Sequence, residues 1–405
     1  MAEPMQSRQG FEYVRHAAIG SHWSNRAKDG KHFKNYGDEV PPAPTSRVAK
    51  WMLTRLVNGI AKPAGGYDAF GKVWYAPCDM AESVARWRAS TSSGGGGDGA
   101  TVSAKDRVYW IGHASQLLCL ANGINILFDP IFSYRASPVS FAGPARRFPP
   151  AATAAQLPPI HIVTISHNHY DHMDEDSVKA VAARFPDAHF VVPLKLDRFL
   201  REWGVPASSI TMLDWYEACE VKGIRIGCTP AQHWGKHSAF DNNEVLWCGW
   251  CIGWQPGKYQ GPASATEGSA PTALSSSETS TQAPEVAQQS WNQYKKYFFT
   301  GDTAYNADVH ESIYAHFGAM DMAAIPIGAY KPRWFMSRAH VDPEHAVQIF
   351  RDQHIQRAMA VHWGTFELAD EPLDEPPQVL RSALAAASLD ENSFQAIPMG
   401  HHIDF

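Results

Sequence analysis

The sequence predicts a mixed α/β fold, and three observations predict it. From residue 106 onward, short β-branched or aromatic runs end in Gly, Pro, Asp or Ser, the punctuation of strands. Between several of them the apolar spacing changes to i, i+3, i+4, i+7, the period of an amphipathic helix. The strands come first in close succession, as hairpins, and then alternate with helical patterns.

Taken in chain order, residues 1–30 are polar and aperiodic and read as a mobile terminus. A basic extension over 31–89 follows. Within it "PTSRVAKWMLTRLVNGIAK" predicts a helix over about 46–62, capped by Thr45 or Ser46, with Val48, Trp51, Met52, Leu56 and Ile60 at helical spacing. Two readings stand for that helix. It packs on the main domain, or it lies at a lipid interface with Arg47, Lys50 and Arg55 toward headgroups. The run "STSSGGGGDGA" predicts a Gly/Ser-rich linker over 90–105, because glycine loses too much backbone entropy to hold one conformation there.

The main domain spans 106–405. Its strand-like runs are "RVYWIG", "QLLCLA", "NILFDP", "IHIVTIS", "HFVVP", "GIRIGCTP", "VLWCGWCIGW", "YFFTGD", "MAAIPIG" and "AMAVHWG". "DEDSVKAVAARF" places Val178, Val181, Ala182 and Phe185 on one helical face behind capping carboxylates. "VDPEHAVQIFRDQH" repeats the pattern with a proline near its start. Residues 256–290 are rich in Ser, Thr, Ala, Pro and Gln and cannot bury enough surface to fold, so they read as an insertion between two strands.

Composition narrows the function. The chain has 405 residues, 44% hydrophobic, with a net charge of −6. Residues 1–72 carry eleven Lys/Arg against six Asp/Glu, which makes that segment +5 and leaves −11 on the rest. An acidic body argues against nucleic acid as a partner, since phosphates need a basic face. A basic arm fits an anionic membrane surface better, though a merely solvated arm is the default reading. Six cysteines and no secretory leader predict a reducing, intracellular setting, cytosolic or peripheral on the cytosolic face of intracellular membranes. Cys248 and Cys251 in "CGWC" sit in a strand run whose alternation points them to opposite faces, so they read as buried thiols rather than a redox pair.

The chemistry is concentrated in "TISHNHYDHMDEDS". It gives His167, His169, Asp171 and His172 at the carboxyl end of one strand. His233 follows "IRIGCTPAQ", Asp302 ends "YFFTGD" and His362 ends "AMAVHWG", so loops from four strand ends can converge on one rim. Imidazole nitrogen and carboxylate oxygen are zinc donors, and seven donors suit two ions. One ion would take His167, His169 and His233; the other would take Asp171, His172 and His362. Asp302 would bridge, having two oxygens where an imidazole has one free nitrogen. Asp171 and Asp302 are the candidate catalytic carboxylates, and a water shared by two zinc ions would be a hydroxide near neutral pH. Isolated histidines such as His113 and His189 read as structural. Asp129, in "NILFDP", reads either as a partner of a ligand histidine or as a turn-former.

The order HNHYDH … H … D … H resembles the metallo-β-lactamase superfamily. The wider text, including "VYWIGHASQLL", "FDPIFSYRASPVSFAGPARRFPP", "PAQHWGKHS", "IPIGAYKPRWFM" and "AVHWGTFELADEPLDEPP", resembles the N-acyl-phosphatidylethanolamine-hydrolysing phospholipase D family from about residue 106 to 400. The resemblance implies an αββα sandwich, two mixed β-sheets face to face between outer helices, with a dizinc site on one edge. It implies hydrolysis of N-acyl-phosphatidylethanolamine to N-acylethanolamine and phosphatidic acid, with substrate contacts at Tyr170 and His340. A phospholipid substrate, a membrane met peripherally and a homodimer are the partners it leaves open. The alternative is a lactonase or other small-molecule hydrolase on the same metals, and a lipid-binding protein with structural zinc is the reading from a different class. The Gly-rich linker and the 256–290 insertion depart from the family's compact pattern.

Overall fold

Two seven-stranded sheets carry the fold, in a computed structural model that describes residues 25–26, 29–35, 45–92, 105–238, 240–256 and 290–405. Most of the expected mobile terminus, of the linker and of the 256–290 insertion lies outside those residues. A short antiparallel pair, β1 (Asn25–Arg26) and β2 (Phe33–Lys34), precedes three helices, α1 (Thr45–Asn58), α2 (Gly66–Trp74) and α3 (Met80–Ser92).

The first sheet opens with the antiparallel strands β3 (Arg107–Gly112), β4 (Ser115–Cys119) and β5 (Asn125–Phe128). It continues in parallel with β6 (Ile162–Thr164), β7 (His189–Pro193) and β8 (Ile210–Leu213), joined through α4 (Glu175–Arg184) and α5 (Asp197–Glu202). The second sheet repeats this plan. An antiparallel run of β9 (Ala218–Val221), β10 (Ile224–Thr229), β11 (Gly249–Trp254) and β12 (Lys295–Phe299) gives way to parallel β13 (Met322–Pro326), β14 (Arg357–Val361) and β15 (Phe394–Gln395). Helices α6 (Ala307–Phe317), α7 (Arg333–Met336), α8 (Pro343–Asp352) and α9 (Glu375–Ala386) make those crossovers. Last, β16 (His402–Asp404) returns to pair with β3. Hairpins first and crossovers second is the predicted order, met once in each sheet.

The inner parallel strands β6, β7 and β13 are buried along their length, as strands covered on both faces are. The helices begin where their caps say. Asp174 accepts from the Ser177 N–H ahead of α4, and Asp342 accepts from the His345 N–H at 2.9 Å ahead of α8, with Pro343 at its first turn. The sheets meet through aromatic side chains. Phe128 of β5 packs 5.3 Å from Tyr297 and 5.9 Å from Phe299 of β12, and the Tyr297 hydroxyl donates to Gln116. Trp110, Trp250 and Trp291 are fully buried, Trp291 against Phe317 of α6. Helices α2 and α3 add Phe70, Met80, Val84 and Trp87 to the same core.

Helix α1 uses two faces. Trp51 stacks on Phe335 at 5.2 Å and donates its indole N–H to Asp370, while Arg55 turns inward to the carbonyls of Leu368 and Glu367. Arg55 is therefore a docking residue, where the interfacial reading had pointed it at headgroups. The opposite face is apolar and open: Met52, Leu53, Leu56 and Val57 are all more than half exposed, Leu56 at 82%. No helix among the described residues is long and apolar enough to cross a membrane.

Candidate metal centre

Strands β3, β5, β6, β10, β12 and β14 all run the same way through their sheets, so their carboxyl ends share one edge. The loop after β6 is a tight turn in which the His172 and Met173 N–H groups both donate to the His169 carbonyl, at 3.1 and 2.8 Å. Asp129, just past β5, anchors it. Its carboxylate accepts from the Ser166 N–H at 2.7 Å, the Ser166 hydroxyl at 2.6 Å and His172 Nδ1 at 2.7 Å. Asp302 reaches the edge because Gly301 precedes it at φ +61, where a Cβ would lie 2.2 Å from the Cys248 carbonyl oxygen.

All seven predicted donors converge. His167 Nε2 lies 2.8 Å from His169 Nδ1, which lies 3.2 Å from His233 Nε2. Asp171 Oδ2 lies 3.4 Å from His362 Nε2 and 3.6 Å from His172 Nε2. Asp302 Oδ2 lies 3.1 Å from His362 Nε2, 3.2 Å from His172 Nε2 and 3.7 Å from His233 Nε2. Donors sharing one tetrahedral zinc at about 2.0–2.1 Å would stand about 3.4 Å apart, so these spacings are those of ligand edges. In each case Oδ2 is the closer oxygen, which places the Asp302 carboxylate between the two groups of donors, where the sequence reading put a bridge.

The donor set fits divalent cations in its charge as well. Burial alone would raise both carboxyls, yet the facing imidazoles, His172 first, hold Asp171 and Asp302 well below the usual carboxylate range. Burial, the largest single influence, opposes a charged His362 and a charged His172, but Asp302 and Asp171 together, with Asp129 at His172, outweigh it, lifting His362 to about 9 and His172 well above its ordinary value. The two buried carboxylates thus demand positive charge, which a divalent cation supplies while freeing those imidazoles to ligate. Burial keeps His167 and His233 well below their ordinary values and His169 down at about 4, the neutral form a ligand requires. His172 Nε2 and His362 Nε2 are buried without a hydrogen-bond partner among the described residues, as nitrogens reserved for a ligand bond would be.

Supporting bonds hold the rings. Ser166 Oγ meets His167 Nδ1 at 2.9 Å, and His233 Nδ1 donates to the Ala339 carbonyl at 2.9 Å. Asp129 serves both as partner of a ligand-site histidine and as the acceptor of a loop amide. His340 lies in the cluster, its Nδ1 buried, without a hydrogen-bond partner among the described residues and 3.8 Å from Asp302 Oδ2. Tyr170 donates its hydroxyl to the His237 carbonyl and packs beside Ile131 and Phe366, which locks the loop. Cys248 and Cys251 are buried thiols, Cys248 donating to the Ser166 carbonyl at 3.4 Å.

His113 is the residue that sequence reasoning missed. It is buried, and its Nε2 lies 2.8 Å from Asp171 Oδ2. Its signal was present: it follows "RVYWIG" at a strand end, like every other member of the centre.

Residues 124–261 and 263–363 match the family described as "Beta-lactamase superfamily domain". The chain is 32% identical over 300 residues to N-acyl-phosphatidylethanolamine-hydrolyzing phospholipase D 1 of Caenorhabditis elegans, covering 72% of this chain and 73% of that one. It is 33% identical over 301 residues to an uncharacterised protein of Mycobacterium tuberculosis, covering 73% and 68%. With the mitochondrial N-acyl-phosphatidylethanolamine-hydrolyzing phospholipase D of Saccharomyces cerevisiae it shares 27% identity over 276 residues, 67% of this chain and 50% of the yeast protein. In three dimensions it resembles the crystal structure of a possible metal-dependent hydrolase from Veillonella parvula, with a TM-score of 0.51 at 14% identity over 75% of this chain and all of that one, a likeness of fold alone. The chain is a metallo-hydrolase of the β-lactamase superfamily and, within it, belongs to the N-acyl-phosphatidylethanolamine-hydrolysing phospholipase D family.

Proposed function

We propose that this chain is a dizinc phosphodiesterase that hydrolyses N-acyl-phosphatidylethanolamine to N-acylethanolamine and phosphatidic acid. The observation that carries the reading is the pair of donor sets on either side of the Asp302 carboxylate, in a chain whose relatives bear that activity in their names. His167, His169 and His233 would hold one ion and Asp171, His172 and His362 the other, with Asp302 between them. When bound, two such cations supply charge neutralisation for the phosphodiester anion, a deprotonated water at neutral pH and stabilisation of the departing oxygen.

The protein's own groups do the rest. Asp171 and Asp302 hold the centre together at its middle. His340 aims a buried ring nitrogen at the same space and suits a phosphate oxygen of the substrate. Ser166 Oγ is committed to Asp129 and Cys248 Sγ to a carbonyl, so neither serves as a nucleophile and the reaction is direct hydrolysis. Tyr170 borders the site and keeps the loop of His169 and Asp171 in place; with its proton given to the His237 carbonyl it has none for a phosphate oxygen, and its lone pairs suit a substrate N–H or O–H instead. On the rim, Trp234 lies edge-on to His169 at 4.3 Å and is 39% exposed, an apolar surface suited to acyl chains.

A bilayer substrate requires a docking face, and the open side of α1 supports one. The inner face of α1 sits on the segment that follows His362, through Leu368 and Asp370, which holds the open face beside the site, and Lys50 covers the partly exposed Trp334 ring at 5.4 Å. The test is hydrolysis by the zinc-loaded full chain on vesicles containing N-acyl-phosphatidylethanolamine, read as N-acylethanolamine and phosphatidic acid by mass spectrometry. Acyl-homoserine and sugar lactones run in parallel. Lactone turnover with no phospholipid cleavage would replace the proposal with the lactonase reading.

A further inference from the structure

We infer that His113 is a positioning residue for one half of the centre, fixing Asp171 and the His362 turn so that this half closes on its cation. The inference rests on the binuclear reading above and adds a residue to it.

Every contact of His113 falls on one side of the cluster. Its Nε2 bonds Asp171 Oδ2 at 2.8 Å, and its carbonyl accepts the His362 N–H at 2.9 Å and the Trp110 indole N–H at 2.8 Å. Its own N–H donates to Thr365 Oγ1 at 2.7 Å, just beyond His362. The ring stands 4.1 Å from that of His362 and 5.6 Å from that of His172, with Phe366 against its edge at 5.1 Å. No hydrogen bond or ring contact joins it to His167, His169 or His233 among the described residues.

Backbone geometry adds to this. His113 and His362 both adopt left-handed φ, 53 and 60, which is uncommon for a non-glycine residue and persists where surroundings over-determine it. The bond from one peptide to the other ties those two turns together. His113 thus sets the direction of the Asp171 carboxylate through its ring and the position of His362 through its main chain.

The chemistry gives the ring one role. A carboxylate only accepts, so the proton is on Nε2 and Nδ1 carries the lone pair, buried without a hydrogen-bond partner among the described residues. Asp171, His172, His362 and Asp302 already supply four donors on this side, the number a tetrahedral ion takes. An imidazole hydrogen-bonded to a ligating carboxylate orients that ligand, and loss of such a partner weakens metal binding about 10–100-fold.

The asymmetry makes the inference testable without substrate. The metal-depleted full chain is titrated with Zn²⁺ and with Co²⁺ against a chromophoric chelator. The wild type should take two equivalents. His113→Ala should keep one tight equivalent and bind the other about 10–100-fold more weakly. His113→Gln, whose amide N–H reaches the position of Nε2 but is a poor metal donor, should restore the second. Where the alanine variant does not fold, His113→Asn takes its place, since it fills the slot with a polar group too short for Asp171. Retention of both equivalents in the truncated variant overturns the inference, as does equal weakening of both. Failure of the glutamine variant to restore binding also overturns it, and would make His113 a direct ligand. A wild type that binds fewer than two equivalents instead removes the binuclear reading, before any variant is compared.

Discussion

Asp302 brings Oδ2 to 3.1 Å from His362, 3.2 Å from His172 and 3.7 Å from His233, so its carboxylate stands between the two groups of donors. Asparagine in its place is neutral, and its nitrogen donates where the carboxylate accepted. Asp302→Asn is expected to lower the bound metal from two equivalents toward one and to reduce phosphodiester turnover on the order of 10³-fold, with far-UV circular dichroism unchanged. Full activity in that variant would remove the bridging role. Asp129 acts one layer out, where its carboxylate is the acceptor for three buried donors. Asp129→Ala leaves those donors unsatisfied at about 1–3 kcal/mol each, so urea unfolding should report a loss of at least about 3 kcal/mol, together with weaker binding at the ion held by His172. Four of the seven donors were legible from the spacing His167-x-His169-x-Asp171-His172, and His233, Asp302 and His362 from their places after strand runs. His113 follows a strand run too, but it was read as isolated because Asp171 and Thr365, the neighbours that give it a role, lie far from it in sequence.

At the scale of elements, strands of five or six residues such as β3, β11 and β14 were visible as apolar runs closed by turn residues. Strands β8, β9, β15 and β16, of two to four residues, were not, because alternation cannot declare itself over so short a span; β5 and β6 are as short but were visible through the longer apolar runs "NILFDP" and "IHIVTIS" that hold them. Strands β8, β9, β15 and β16 sit at the edges of the two sheets, where short strands also limit edge-to-edge pairing. Helix α1 was legible as amphipathic, yet its sequence did not say which face docks. Trp51 and Arg55 take the inner face, and Leu53 and Leu56, at 62% and 82% exposed, are left outside. If that face enters a bilayer, each leucine contributes about 1.5–3 kcal/mol on burial. Leu53→Glu with Leu56→Glu should then weaken co-sedimentation with anionic vesicles by about 100-fold or more, while metal content and hydrolysis of a short-chain, detergent-dispersed substrate stay unchanged. Equal vesicle binding by both proteins would assign membrane contact to another surface.

Across the whole molecule, the centre is also a joint. His167, His169, Asp171 and His172 come from the loop after β6 in the first sheet, and His233, Asp302 and His362 from the ends of β10, β12 and β14 in the second. Each proposed ion takes donors from both sheets, so binding clamps one edge of the sandwich in addition to arming it. A ligand that binds only the folded state stabilises it by RT ln(1 + [L]/Kd), about 4 kcal/mol when free metal is 1,000-fold above Kd. Chelation of the full chain should therefore lower its melting temperature by several degrees or more, and added Zn²⁺ should restore both melting temperature and turnover. The clamp makes a sharper demand on Asp302→Asn. That variant loses the carboxylate that stands between the two groups of donors, so its melting temperature should respond to chelator much less than that of the wild type. If the two proteins lose the same number of degrees, the metals add stability within each loop separately, and the sheets are held together by the packed core that includes the Phe128–Tyr297 contact.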